Sequence, residues 1–132
     1  MTRLLRSIAF VFAASLFSVA ASAQSASSSS SDADQTFFDF QVDEVVKVRV
    51  RQAPSYPERL CAANIDGQVL VQFVVDERGA AEMNTFKVIK ATNPEFADAV
   101  RRAVSSTAYS PAEVRGRHVK QLVQQPFTFS AR

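Results

Sequence analysis

DGQVLVQFVVDERG, the stretch from residue 66 to residue 79, decides the fold. Its apolar side chains recur at every second position, which is the pattern of a strand with one face against a core. We therefore predict a strand here, with four residues on its buried face: Val69, Val71, Phe73 and Val75.

The end of this stretch predicts a tight hairpin. Asp76 to Gly79 is short and polar, and glycine adopts the positive φ that such a connection requires. A second strand is therefore expected from about residue 81 to residue 90. Phe86 and Val88 are the side chains of that strand that we expect to face the core.

Two further elements are predicted before the hairpin. Val46 to Arg51 alternates valine with lysine or arginine, which indicates another half-buried strand. Ser55, followed three residues later by Glu58, resembles a capping box that opens a short helix ending near Ala63. Pro57 suits the first turn of that helix, because the N–H that proline lacks is not needed there. Two side chains of this helix are expected to face inward: Leu60 and Ala63.

A second helix is predicted after the hairpin. Asn93-Pro94-Glu95 combines a side-chain cap, a proline at the first helical position and an acid in the first turn. Arg101 and Arg102 are expected to face solvent. The apolar residues at helical spacing form one stripe toward the core: Phe96, Val100, Ala103 and Val104.

A last strand is expected from Val119 to about Phe129. Because Pro126 has no N–H to donate to a β-ladder, we expect this strand at a sheet edge, antiparallel to the strand at residues 69–75. The order helix, strand, strand, helix, strand predicts an α+β fold. The expected domain has two layers, a small antiparallel sheet of about three strands and two helices on one face.

The N-terminus has the pattern of a secretory signal peptide at residues 1–23. Two arginines precede an apolar run from Ile8 to Ala20, and Ala21-Ser22-Ala23 is the small-x-small pattern that signal peptidase accepts. The run is shorter than the ~20 apolar residues that span a bilayer. We expect cleavage after Ala23, and the alternative is an uncleaved N-terminal anchor.

Residues 24–44 are expected to form a flexible linker before a folded domain at residues 45–132. The first part is nearly all serine and alanine, which cannot bury enough apolar surface to offset the entropy of ordering. Residues 32–44 carry five acidic side chains and no basic one. This acidic segment either lies against the domain, which has 13 basic and 8 acidic side chains from residue 45 onward, or stays solvated.

The charge of the chain argues against a nucleic-acid partner. The whole chain has 15 basic and 13 acidic side chains. Arg3 and Arg6 lie in the signal segment, so the exported chain is formally neutral. The basic pI of the full sequence therefore gives no support for nucleic-acid binding.

Few residues could support catalysis or hold a metal or cofactor. His118 is the only histidine and is expected at the surface, and three widely spaced glycines leave no phosphate-binding loop. Cys61 is the only cysteine; we expect it buried beside Leu60, with an intermolecular disulfide as the alternative. Tyr56 and Tyr109 are expected to pack with their hydroxyls at the surface. We therefore predict no cofactor, no metal site and no enzyme, with a small hydrolase or thiol enzyme as the least favoured class.

Eight residues that separate these elements follow the order of a known family: Pro54, Tyr56, Pro57, Gly67, Gly79, Phe96, Tyr109 and Pro111. Together with Pro126-Phe127-x-Phe129, they resemble the TonB C-terminal domain family over roughly residues 51–131. The resemblance implies a periplasmic domain of the Gram-negative cell envelope. Such a domain holds the TonB-box peptide of an outer-membrane transporter as a strand beside its last strand.

The resemblance also implies where the peptide binds. The candidate peptide-binding residues belong to the last strand: Val119, Lys120, Gln121, Leu122, Val123, Gln124, Gln125 and Phe127. An unpaired strand edge can bind an extended peptide through backbone hydrogen bonds, and the three glutamines would keep that edge wettable when it is empty. The simpler alternative is a structural edge blunted by Lys120 and Pro126.

Two further hypotheses depend on the N-terminal segment and on the same edge. An inner-membrane proton-driven complex is an implied partner only if residues 1–23 are retained, with the chain anchored in the inner membrane and its domain in the periplasm. A cleaved chain would be a free periplasmic binder. The alternative function is a structural or regulatory envelope protein that forms a homodimer or docks another periplasmic partner through that edge.

Overall fold

The computed structural model describes residues 34–131 of the chain. The predicted signal peptide at residues 1–23 and the serine-rich part of the linker lie outside the described residues. Within residues 34–131, neither α-helix has the length and apolar character needed to cross a membrane.

Strands are the main type of secondary structure in the described part, with two α-helices and one 3₁₀ helix. In chain order the elements are β1 (Thr36–Phe37), the 3₁₀ helix (Asp39–Gln41), β2 (Lys47–Val50), α1 (Glu58–Ala62), β3 (Gly67–Val75), β4 (Ala81–Ala91), α2 (Pro94–Ser106), β5 (Ala108–Ser110), β6 (Ala112–Val114) and β7 (Arg117–Phe129).

The main sheet is larger than the sequence predicts. It has five strands in the order β1, β7, β3, β4, with β6 also paired to β7, and β2 pairs with β5 in a separate two-stranded sheet. The expectation of about three strands is therefore wrong. The predicted core of the sheet is confirmed, since β3 pairs antiparallel with both β4 and β7. The strands that were missed are only two or three residues long, too short to display a period-two pattern.

The core forms between β3 and the helices. All four residues of the predicted face of β3 are buried, and so is the predicted stripe of α2. The ring of Phe96 stacks on Phe129 with centroids 4.4 Å apart and meets the Tyr56 ring edge-on at 5.6 Å. Gly67 lies directly against this cluster, and a Cβ there would collide with the Phe96 ring. The aromatic cluster thus joins α2 to both central strands.

The two helix starts differ from each other. The start of α2 is confirmed: the Glu95 N–H donates to Asn93 Oδ1 over 2.9 Å, with proline at the first helical position. The predicted capping box is wrong, because α1 begins at Glu58 and Ser55 makes no capping bond. Pro57 is the N-cap in an extended conformation. Proline also disfavours helical backbone in the residue before it, so the helix cannot begin earlier.

Only one side chain of α1 reaches the core. Leu60 is buried, but Ala63 is exposed, so the expectation for Ala63 is wrong. Cys61 is exposed too, which corrects the prediction of a buried thiol. A helix of five residues makes barely more than one turn, so it presents a narrow face.

The hairpin between β3 and β4 forms as predicted. Gly79 has φ +86°, and the Asp76 carboxylate accepts from the Arg78 and Ala80 N–H groups at 2.9 Å each. The Gly79 carbonyl accepts from the Tyr109 N–H over 2.9 Å, which fixes the chain after α2 against the hairpin tip.

The expectation for β4 is half correct. Phe86 packs against the core, but Val88 is 45% exposed. The register between β3 and β4 shifts on both sides of the Val71–Val88 pair. Each bulge interrupts the alternation of side chains along the strand. A strict period of two therefore assigns the wrong face to a residue, such as Val88, that lies between two bulges.

The acidic segment lies against the domain, which decides between the two alternatives left open by the sequence. The Asp43 N–H donates to the Glu113 carbonyl over 2.8 Å, and the Asp43 carboxylate accepts from the Arg115 N–H over 2.7 Å. Residues 36–44, although assigned to the linker by composition, therefore contact β6 and β7.

Replacement of the central ring tests the core. We expect Phe96→Ala to lower the free energy of unfolding by about 3–5 kcal/mol, since it leaves a cavity where a fully buried ring had been. Urea denaturation followed by circular dichroism measures this loss. Ile89→Ala, at a side chain 50% exposed, is the matched control and should cost about 0.5 kcal/mol or less. Equal losses in the two variants would contradict this description of the core.

Candidate peptide-binding edge

The two halves of β7 have different neighbours. On one side, β7 pairs with β3 over nine positions, from Phe129 opposite Gly67 to Gln121 opposite Val75. On the side away from β3, Lys120 and Gln121 pair with β1. From residue 122 to residue 129, that side has no strand partner among residues 34–131. The outer edge of β7 is therefore open along its second half only.

The edge position predicted from Pro126 is thus correct for half of the strand and wrong for the rest. Pro126 itself lies in the open half, opposite Leu70 of β3. Proline can occupy this place because only one neighbouring strand requires hydrogen bonds there. The missing N–H gave no information about residues 117–121, which lie five or more positions earlier.

The eight candidate residues lie between positions 119 and 127 and divide in the same way. Val119 pairs with β6, while Lys120 and Gln121 pair with β1, so these three already have strand partners. The other five lie in the open half: Leu122, Val123, Gln124, Gln125 and Phe127. Hereafter, "the open edge" denotes the outer side of residues 122–127.

The three glutamines of β7 have different surroundings, so the expectation that all of them wet the edge is wrong. Gln121 is buried, at 5% exposure, and its Oε1 accepts from the Val46 N–H over 2.9 Å. Gln124 is exposed and donates from Nε2 to Gln72 Oε1 over 3.0 Å. Gln125 Oε1 lies 3.5 Å from the Tyr109 hydroxyl, at the limit of a hydrogen bond. Gln124 is the glutamine that presents its side chain to water.

Lys120 interacts with a carboxylate of the neighbouring hairpin. Its Nζ lies 3.1 Å from Glu82 Oε1, and both side chains are mostly covered. The hydrogen bond and the charge of Glu82 raise the pKa of Lys120, and the charges of Glu77 and Asp34 add to this effect. The cation therefore sits where β1, β7 and the hairpin meet.

A groove of about 520 Å³ borders the start of the open edge. It is lined by residues 121–124 of β7, by Gln72 of β3 and by four residues of the N-terminal segment: Phe38, Asp39, Val45 and Val46. These four residues fall in or next to the predicted linker, where no binding residue was expected from the sequence. The phenylalanines among the acidic residues of the linker were the signal that could have identified this segment as part of the folded domain, since solvated linkers contain few aromatic residues.

The eight family-motif residues lie mainly in the core and its turns. The Tyr56 hydroxyl donates to the Ile65 carbonyl over 2.6 Å, which ties the segment before α1 to the segment after it. Tyr109 is buried, which corrects the expectation of a surface hydroxyl, and burial raises its pKa. These residues build the domain and do not line the open edge.

His118 is exposed as expected, with Nε2 3.3 Å from Glu113 Oε1. The described part of the chain contains no cluster of three or more His, Cys, Asp or Glu residues that could hold a metal ion.

The sheet has a second open side, along β4. Within residues 34–131, β4 pairs only with β3, and its side chains at Val88 and Ile89 are half exposed. Lys87 and Lys90 flank this apolar pair and are exposed. A strand that joins the main sheet can thus pair with β4 as well as with the second half of β7.

The fold and the open edge define a small α+β interaction domain. Its sequence matches the model of the Gram-negative bacterial TonB protein C-terminal family over residues 52–131, so the chain belongs to that family. The structure is similar to the solution NMR structure of the Pseudomonas aeruginosa TonB C-terminal domain, with a TM-score of 0.57 and 25% sequence identity. That match covers 67% of this chain and 88% of the other. A comparison with curated protein sequences found no match.

Membership of the family gives the broad role of the domain. TonB C-terminal domains are interaction and transduction domains rather than enzymes, and they are linked to TonB-dependent transport. They are periplasmic in Gram-negative bacteria and interact with outer-membrane transporters.

The contact between Lys120 and Glu82 predicts a dependence of stability on pH. Because the pKa of Lys120 is raised above 10.5, its contribution is complete below pH 10.5 and is lost as the pH rises through the folded-state value. We expect the chain to be more stable than Lys120→Met at pH 8, with a difference in urea midpoint that shrinks above pH 10.5. A difference that stays constant to pH 11.5 would show that the charge of Lys120 is not the cause.

Proposed function

We propose that this domain binds the TonB-box peptide of an outer-membrane transporter as an additional strand on the open edge. The observation that carries the proposal is the outer side of residues 122–127, which has no strand partner within residues 34–131, whereas the inner side of the same residues is paired with β3. An extended peptide that pairs there satisfies backbone N–H and C=O groups that otherwise face water.

The regularity of β7 supports this edge over β4. The nine pairs between β3 and β7 contain no register shift, so the second half of β7 is a regular template for another strand. In contrast, β4 carries two register shifts, and Lys87 and Lys90 flank its exposed apolar pair. Bulges and lysines are common devices that protect an edge strand from pairing.

The side chains of the open edge can also contribute to recognition. Leu122 and Val123 are half-buried beside the groove of about 520 Å³, so apolar side chains of a peptide could be covered there. Gln124 is exposed next to them and offers an amide for polar contacts. In this mode, backbone pairing supplies most of the affinity and the alternate side chains supply specificity.

An NMR titration tests the proposal directly. We expect a TonB-box peptide to shift the backbone amide signals of residues 122–125, of Phe127 and of their β3 partners, while signals of residues 82–90 stay in place. The matched control is the same peptide with N-methyl groups on alternate residues, which removes backbone donors without changing side chains and should not bind. Shifts confined to β4, or no shifts with saturating peptide from several transporters, would contradict the proposal.

The alternative role is that of a structural or regulatory envelope protein that uses the same open edge of β7. In this role the edge pairs two copies of the chain, or docks another periplasmic partner, in place of a transporter peptide. Sedimentation velocity of the exported chain separates the two roles. A monomer that binds peptide supports the transporter role, whereas a tight dimer that excludes peptide supports the alternative.

The location of the chain is proposed from its first 23 residues. We propose that signal peptidase cleaves after Ala23, which yields a free periplasmic protein without its own link to an inner-membrane proton-driven complex. Intact-mass spectrometry of protein isolated from cell envelopes should then find Gln24 as the first residue. Detection of the full-length chain in the inner-membrane fraction would instead show a retained anchor.

A further inference from the structure

We infer that β1 and the 3₁₀ helix after it are a displaceable occupant of the outer side of β7, and that a transporter peptide replaces them in the same parallel direction. This inference rests on the proposed function. It adds that the chain carries its own competitor for the peptide, in the segment from Thr36 to Gln41.

The first support is the position of β1. Thr36 pairs with Lys120 and Phe37 with Gln121, parallel to β7 and directly before the open edge. A peptide that followed the same register would next meet Leu122 and then continue along β7. β1 therefore fills the first two positions of the strand that the proposed peptide would form.

The second support is the reason why β1 ends after two pairs. The Phe38 N–H donates to Gln41 Oε1 over 2.9 Å, and the Phe38 carbonyl accepts from the Gln41 N–H over 3.0 Å. Both backbone groups of Phe38 are thus used within the 3₁₀ turn and cannot continue the ladder to Leu122. A short strand with so few bonds contributes little, since a net backbone hydrogen bond is worth about 0.5–1.5 kcal/mol.

The third support is the exposed aromatic pair of this turn. The rings of Phe38 and Phe40 stack with centroids 5.5 Å apart, but they remain 48% and 79% exposed. Large apolar rings stabilise a contact only to the extent that they leave water. The turn therefore borders the groove beside Leu122 without being fixed in the core.

The attachment after the turn is firmer, which makes it a natural hinge. Asp43 and Glu44 form three backbone hydrogen bonds with Glu113, of 2.8, 2.9 and 3.2 Å, and the Val46 N–H donates to buried Gln121. Release of residues 36–41 would leave these bonds and the β3–β7 pairing intact. The occupant can thus leave while the rest of the domain stays folded.

A reversible disulfide tests whether β1 must leave. Cysteines at paired positions of neighbouring strands are close enough for a bond, so Thr36→Cys/Lys120→Cys, in a Cys61→Ser background, locks β1 onto β7 when oxidised. We expect the oxidised full chain to bind TonB-box peptide at least tenfold more weakly than the same sample after reduction. The single variant Thr36→Cys in the same background is the control and should not respond to reductant. Equal affinity in the oxidised and reduced states of the double variant would overturn the inference.

A variant that weakens the pairing of β1 with β7 should bind the peptide more tightly. Thr36→Pro/Phe37→Pro removes both N–H groups of β1, so the edge is vacant more often and the apparent affinity rises. We expect about tenfold tighter binding, the factor that corresponds to one or two net backbone hydrogen bonds. Unchanged or weaker binding, in a variant with a normal urea midpoint, would overturn the inference.

Hydrogen exchange gives a readout that does not need the peptide. In the free full chain, amides protected by the β1–β7 pairing should exchange at least tenfold faster than those between β3 and β7, because β1 opens alone. Exchange of both sets at one common rate would make β1 a permanent part of the sheet and overturn the inference. If the wild-type chain shows this local opening but binds no TonB-box peptide, the proposed function fails and the displaceable strand remains.

Discussion

The unbroken pairing of β3 with β7 is the constraint on which the rest of the molecule depends. Over nine positions it aligns the buried face of β3 with Phe129, so that Phe96 of α2 meets both strands in one aromatic cluster. A slip of one residue would turn every side chain of β7 to the opposite face. The same register therefore fixes the core on one face and determines which part of β7 has an unpaired outer side.

The long elements could be predicted because each has a strong local signal. β3 shows a period of two over seven residues, and α2 combines a side-chain cap with an apolar stripe. The errors have local physical causes. Bulges on β4 expose Val88, and Pro57 delays the start of α1 beyond the reach of Ser55. Strands of two or three residues are too short to show a period, so the number of strands in the sheet was underestimated.

The candidate site was predictable as a strand but not as a half-open one. Pro126 correctly indicates an edge at its own position, yet it carries no information about the first half of β7. That half pairs with β6 and with β1, and β1 lies more than eighty positions earlier in the sequence. The burial of Gln121 is explained by the N–H of Val46, seventy-five residues away. Contacts of this range arise from the tertiary fold and leave no spacing that a single sequence can show.

The covalent connection of β1 to its own binding edge also affects how much peptide is needed. A competitor joined to the domain by a short segment acts at an effective concentration on the order of millimolar, however dilute the protein is. A free peptide at micromolar concentration therefore competes poorly. A peptide held beside the domain by its own transporter competes at a similar local concentration. The fraction of domains with a peptide bound to β7 would then depend on how many domains are beside a transporter, rather than on the total concentration of peptide in the compartment.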